Sequence, residues 1–180
     1  MVRFKSKSRQ TGYGLIELML SVLVIAIIIG GVIGIYYLVN SGANATRHQQ
    51  QLLSLVGAVK DIYRTPTYAG VSATQVIQTK KAPPNMVSGT GSGATLTNPW
   101  SGTITIASTN VGAGTDNGFV ITTPQIPTSE CNSIVAALET NFVEVDVNGT
   151  TVKDQATPLD PAALTTACAS NVNTIALTAI

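Results

Sequence analysis

The amino-acid sequence predicts an α+β protein. One long N-terminal α-helix is expected, its hydrophobic half protruding and its amphipathic half packed on an antiparallel β-sheet, with a C-terminal region stapled by a disulfide. Three observations carry that expectation. Residues 12–39 form a near-continuous apolar run with a single carboxylate, Glu17, and no other charge before Arg47. After it, apolar residues recur at helical spacing as far as Tyr63, and beyond Pro99 short runs alternate with period two between turn signals. Two cysteines, Cys131 and Cys168, fall late in the chain. Of the 180 residues, about 115 remain beyond the helix, enough for one globular domain.

The chain opens on a basic, polar leader, residues 1–12, which holds Arg3, Lys5, Lys7 and Arg9 and ends in Gly12. Such a segment is a processing and orientation signal and stands outside the fold. Residues 18–39 alone are 22 residues, roughly 33 Å as a helix, against a bilayer core of about 30 Å. Positive residues stay on the cytoplasmic side, so the leader turns the head outward, where Cys131 and Cys168 are free to oxidise to one disulfide. That bridge closes a loop of about 37 residues and contributes roughly 3 to 4 kcal/mol. A secretory signal cut at Ala43-Asn44-Ala45 is the rival reading, but such signals use an apolar core of about 7 to 15 residues. Glu17 enters hydrocarbon at a cost of a few kcal/mol and asks for a cation.

Composition narrows the function. Charged residues are 11% and hydrophobic ones 44%, which suits a chain whose surfaces meet lipid or other subunits. Without the leader, six basic residues stand against nine acidic ones, a net of about −3, so the basic footprint of a nucleic-acid binder is absent.

Past the apolar run, Leu52, Leu55, Val56, Val59, Ile62 and Tyr63 recur on one helical face, with Gln51, Ser54, Lys60 and Asp61 on the other. The helix should span about residues 14–63 and end before Pro66, which disfavours helical geometry at Thr65. Gly30, Gly31 and Gly34 each cost about 1 kcal/mol relative to alanine inside it, and close packing between helices is one reason to carry them. Ser72-Ala-Thr-Gln75 reads as a capping box with Val71 and Val76 as its hydrophobic staple, predicting a short helix over 73–80. Lys80-Lys81 reads as a solvated pair. Pro83-Pro84 stops that helix, and Gly89-Thr-Gly-Ser-Gly93 is a flexible turn or loop.

Strands follow. Thr103-Ile-Thr-Ile106 and Phe119-Val-Ile-Thr122 should pair as a hairpin around a glycine-rich loop at 111–118. Thr128 or a neighbour caps a helix over 129–140, with Cys131, Ile134, Val135 and Leu138 on one face. Val143, Val145 and Val147 alternate with Glu144 and Asp146, and Asn148-Gly149 signals a type I′ turn into Thr150. Asp160-Pro161 opens a helix to about Ala169, and Ile175, Leu177 and Ala179 alternate as a last strand.

The junction at Gly12 carries a family resemblance. Gly12, Leu15, Ile16, Glu17, Leu18 and Met19, in register behind a basic leader and ahead of about twenty apolar residues, resemble the start of a type IV prepilin. Tyr13 stands where Phe or Met is more usual and Gly14 where Thr is common. The proline many pilins carry about 22 residues into the mature chain is missing, and the three glycines sit near its place. The leader length and the cysteine pair lean toward the type IVb branch.

The resemblance implies a pilin fold in three parts: a cleaved leader at 1–12, a long helix at 13–64 with about 15–39 in the membrane or filament core, and a head at 65–180. It implies that a prepilin peptidase cuts between Gly12 and Tyr13 and N-methylates Tyr13, that the new Tyr13 amine can meet Glu17 of a neighbouring subunit, and that an inner-membrane platform protein and an ATPase polymerise the subunits. It also gives Gly30, Gly31 and Gly34 a second reading, a segment that unwinds as the subunit passes from bilayer to filament. The implied function is that of a major pilin, a structural homo-oligomer first held in the inner membrane and then extracellular. A minor pilin or type II secretion pseudopilin is the alternative within that fold, and a membrane-anchored or secreted binding domain that never polymerises is the alternative outside it.

No catalytic constellation accompanies these features. His48 is the sole histidine and, among glutamines on the amphipathic helix, reads as a surface residue rather than a ligand. No histidine pair, C-x-x-C or EF-hand spacing occurs, and nothing in the spacing of Asp116, Asp146, Asp154 and Asp160 requires them to gather round calcium. No cofactor is implied. Asn44-Ala-Thr46 and Asn148-Gly-Thr150 match the glycosylation sequon, but the turn reading of Asn148 prevails.

Overall fold

The computed structural model describes residues 13–65 and 67–180, and the leader with Gly12 lies outside them. The chain divides into two compact units, residues 1–41 and 42–180, each taken here by itself.

Helix α1 (Tyr13–Ile62) is 50 residues long and ends within one residue of its expected limit. Its part in the first unit is helix alone. In the second unit it buries a stripe, with Leu52, Leu55 and Val59 wholly inaccessible. The stripe begins earlier than expected, because Ala45, His48 and Gln51 are buried with it. Gln51, assigned from polarity to the outer side, is therefore inward. Polar side chains on a buried face are invisible to a hydrophobic-periodicity reading, which picks the stripe up only at Leu52.

The second unit holds one seven-stranded antiparallel sheet of β1 (Val87–Ser88), β2 (Thr95–Thr97), β3 (Thr103–Thr109), β4 (Gly118–Pro127), β5 (Glu144–Val147), β6 (Thr150–Lys153) and β7 (Val172–Ala179), in the order β1-β2-β3-β4-β7-β5-β6. The last strand thus lies inside the sheet. Ile121 and Val145 both face Leu177 across β7, and Phe119 faces Ala179. These residues are buried on one side and form a single core with Leu52, Leu55 and Val59 of α1. Side chains at i and i+2 share a sheet face, so the alternation seen in the sequence is the core face itself.

The turns and helices follow local chemistry. Between β5 and β6, Asn148 (φ 54°) and Gly149 (φ 80°) both take the left-handed conformation that a type I′ turn requires. Helix α2 (Ala73–Gln78) is capped by the Ser72 hydroxyl, which accepts from Gln75 N at 3.4 Å, and Val71 and Val76 are both buried as staple residues. It stops short of Lys80, which itself turns left-handed at φ 56°. Helix α3 (Thr128–Leu138) starts at Thr128 with no side-chain cap. The expected cap is absent because the N-cap position falls on Pro127, which has no side-chain acceptor, and Thr128 is already the first helical residue; its hydroxyl donates to Ser170 O at 2.5 Å, tying α3 to the approach to β7. Helix α4 (Pro161–Ala167) is capped by Asp160, whose carboxylate accepts from Ala162 N at 2.9 Å. Cys131 on α3 and Cys168 at the end of α4 form the disulfide with Cα atoms 5.8 Å apart, both cysteines fully buried. Strands β1 and β2 and the 3₁₀ turns at Pro84–Met86 and Gly91–Gly93 went unforeseen, being too short for any period to register.

Candidate assembly interface

In the N-terminal unit the residues from Gly14 to Tyr36 form a window of 23 residues with mean hydropathy 2.9, none of it buried by the chain itself. Leu15, Ile16, Leu18, Met19 and Leu20 are each about two-thirds exposed, as are Ile27 and Ile35 further along. At about 25 cal/mol per Å², such a surface has to be covered by lipid or by protein. Isolated exposed leucines are ordinary; an uninterrupted set along several helical turns is not.

Glu17 is the one charge on that surface among the described residues, and it is exposed. The Ser21 hydroxyl donates to Glu17 O at 2.7 Å, so the local hydrogen bond serves the backbone. Among the described residues the ion pairs involve Asp61 with Arg64 and Lys81, and none involves Glu17. Tyr13 opens α1 and stands four residues before Glu17, about one helical turn. Gly30, Gly31 and Gly34 all lie within α1, and a Cβ placed on any of them would meet nothing within 4 Å. Packing among the described residues gives no reason for these glycines.

The head carries charge in small, separately engaged groups. The Asp61 carboxylate binds Lys81 Nζ at 2.5 Å and Arg64 Nη2 at 3.2 Å, and the Lys81 hydrogen bond, followed by that of Arg64, holds it below the usual carboxylate range. Lys81 therefore ties the exit of α2 to the end of α1 rather than being merely solvated. The four aspartates weighed for calcium are dispersed in role. Asp160 caps α4, Asp154 accepts from Ala156 N and Thr157 N, Asp146 accepts from the Thr151 hydroxyl, and Asp116 takes its place through the backbone, its N–H on Asn110 Oδ1. Among the described residues no three His, Cys, Asp or Glu side chains come together as a metal site. Burial and then the charges of Asp146 and Asp154 push the Glu144 carboxyl up.

His48 corrects the sequence reading most. It is fully buried, with Nε2 3.0 Å from Thr123 Oγ1 of β4 and its ring edge-on to Trp100 at 5.5 Å. Asn98 Nδ2 donates to the same Thr123 oxygen at 3.1 Å and to Pro124 O at 2.5 Å, while its Oδ1 accepts from Trp100 N and Gly102 N. A Cβ on Gly102 would lie 2.3 Å from Pro124 O, so only glycine lets the β2–β3 connection close on the irregular part of β4, where pairing with β7 shifts between Thr123 and Ile126. The one available signal was the lone histidine itself, and its neighbouring glutamines masked it.

Comparison with known proteins bears on the apolar helix and the head together. Residues 42–180 match the family model described as PilS N terminal, and residues 7–33 match the prokaryotic N-terminal methylation motif. Among solved structures the chain is similar to the type IV b pilin from Salmonella typhi, with 27% identity over 76% of this chain and 97% of that one at a TM-score of 0.56. It also shares its fold with TcpA, a type IV pilin from Vibrio cholerae El Tor biotype, at 17% identity and a TM-score of 0.60 over 77% of this chain and 99% of that one. A search of the curated proteins gives no match.

Proposed function

Since the chain belongs to the PilS family of type IV pilins, we propose that it is the major subunit of a type IVb-like pilus, cut between Gly12 and Tyr13, N-methylated at Tyr13, and polymerised into a helical filament. It is a structural subunit and not an enzyme. The observation that carries the polymer reading is the coincidence, on one helix, of the N-terminal methylation motif with an apolar surface that the chain leaves uncovered. Lipid covers that surface in the precursor, with the N-terminus cytoplasmic and the head periplasmic. Neighbouring copies cover it in the extracellular filament.

Cleavage gives Tyr13 a free amine four residues from Glu17 in the sequence. In a bundle of identical helices the amine of one copy meets Glu17 of the next. At an effective dielectric near 20, opposite charges about 4 Å apart attract by roughly 4 kcal/mol before desolvation is set against it. An unpaired carboxylate in the bundle costs more than the pair gains, so the charge selects the axial register. Gly30, Gly31 and Gly34, without neighbours in their own chain, serve contacts between copies or local unwinding on entry to the filament. The partners are the prepilin peptidase, the inner-membrane platform and its ATPase.

Intact mass and N-terminal sequence of the protein recovered from the cell surface test this reading. A start at N-methylated Tyr13 in filaments made mostly of this chain is expected. An uncut Met1 or a start at Thr46 overturns it, and a trace level in filaments built from another subunit makes the chain a minor pilin.

A further inference from the structure

The buried network around His48 has one degree of freedom that the fold does not use, the protonation of its imidazole. Assigning the ring's proton to Nδ1 leaves His48 Nε2 to accept from the Thr123 hydroxyl, whose oxygen accepts in turn from Asn98 Nδ2. His48 Nδ1 and Gln51 Oε1 are both buried atoms without another hydrogen-bond partner, three residues apart on the same face of α1. A neutral ring thus accepts from Thr123 on one side and is complementary to Gln51 on the other. A protonated ring carries a donor on both nitrogens, so Thr123 must accept from His48 and Asn98 together and its own proton loses its acceptor.

We propose that His48 is an acid-released latch: neutral, it pins α1 to the β2–β3 connection and to the irregular part of β4, and its protonation undoes that network and loosens this stretch of the helix from the head. The groups facing it are neutral, namely Gln51 from α1, Thr123 from β4, and Asn98 and Trp100 from the β2–β3 connection. Helix α3, which α1 reaches through Gln49 Nε2 donating to Ser133 O, offers Glu130, whose carboxylate is taken by the Ser129 hydroxyl. Arg47, next in sequence, is exposed. No carboxylate among the described residues compensates an imidazolium at this place. Burial accordingly lowers the ring from 6.5 to about 4. The released form binds the proton more readily, so the ratio of released to pinned chains rises as pH falls from 6.5 to 4. The rise is at most about tenfold per pH unit, and two to three orders of magnitude in all. Above 6.5 the latch is insensitive to pH.

The chain supplies its own reporters, since His48 is its sole histidine and Trp100, edge-on to it, its sole tryptophan. The test uses the full chain in detergent micelles between pH 7 and pH 3.5. The imidazole resonance should titrate with a midpoint near 4, and Trp100 fluorescence should fall with the same midpoint as the imidazolium forms against it. Amide exchange over residues 45–52, corrected for its intrinsic pH dependence, should accelerate across the same range, and His48→Gln should flatten that profile. A ring that titrates at its ordinary value, or a His48→Gln chain whose exchange profile matches that of the natural one, overturns the proposal. If His48→Gln fails to fold, the ring midpoint and the exchange of the natural chain decide between these outcomes.

Discussion

Asn148 Nδ2, in the β5–β6 turn, donates to Asn173 Oδ1 of β7 at 2.8 Å, and Asn148 Oδ1 accepts from Thr174 N at 2.9 Å. Asn148 Nδ2 also reaches Ala167 O at 2.9 Å, and Asn173 Nδ2 continues the chain to Ile126 O and Ser170 O. One pair of amides thereby fastens the turn, the end of α4, β7 and β4 together. Replacing Asn148 by Asp keeps the turn conformation but sets an acceptor against two acceptors. Asn148→Asp should destabilise the head by about 1 to 3 kcal/mol, read as a lower urea midpoint at unchanged slope. The same amide nitrogen is the one a glycan on the Asn148 sequon would occupy, so the intact mass should show that site unmodified.

Removing the disulfide tests a different cross-link to the same region. Cys131 and Cys168 are separated by 37 residues, and the chain between them includes β5, β6 and the whole of α4. Without the bond, the loss of loop-closure restraint in the unfolded chain should lower stability by roughly 3 to 4 kcal/mol. Denaturation of the Cys131→Ser, Cys168→Ser double variant against the natural chain under non-reducing conditions measures it.

Much of this was legible in the sequence because it is local. The limits of α1, the Ser72 and Asp160 caps and the Asn148-Gly149 turn each depend on residues within a few positions of one another. The insertion of β7 between β4 and β5 depends, for β4, on pairs as far apart in the sequence as Phe119 and Ala179, and period-two alternation says nothing about order in a sheet. The bond from the Thr128 hydroxyl to Ser170 O, 42 residues on, was out of reach for the same reason. His48 was misplaced because polarity stands in for exposure only where no buried partner exists, and Thr123 lies 75 residues away. The exposed apolar surface of α1 was the most legible part, because a helix segment left uncovered by the described residues advertises its hydrophobicity without interruption.

The two halves of α1 should respond oppositely to the same truncation. Leu55 is fully buried in the core, whereas Leu20 is 64% exposed. Leu55→Ala should cost the head about 2 to 5 kcal/mol through lost burial and the cavity left behind. Leu20→Ala should leave head unfolding within about 0.5 kcal/mol of the natural chain. Its effect, if the apolar surface is the polymer's core, appears as fewer filaments per cell at equal precursor level, counted by electron microscopy.

Glu17 offers the sharpest separation between anchoring and assembly. Its carboxylate opposes membrane insertion, so Glu17→Ala should enter the membrane and be cleaved at least as well as the natural precursor. Polymerisation is a different matter, because the Tyr13 amine of each subunit would then be buried without a counter-charge, and an uncompensated buried ion costs about 3 to 5 kcal/mol. A penalty of that size at every subunit lowers the association constant by two orders of magnitude or more. The expected result is mature-length Glu17→Ala protein in the inner membrane with few or no filaments, and Glu17→Asp, which keeps the charge but shortens its reach, should fall between the two. Natural filament yield from Glu17→Ala would show that the charge plays no part in setting the register.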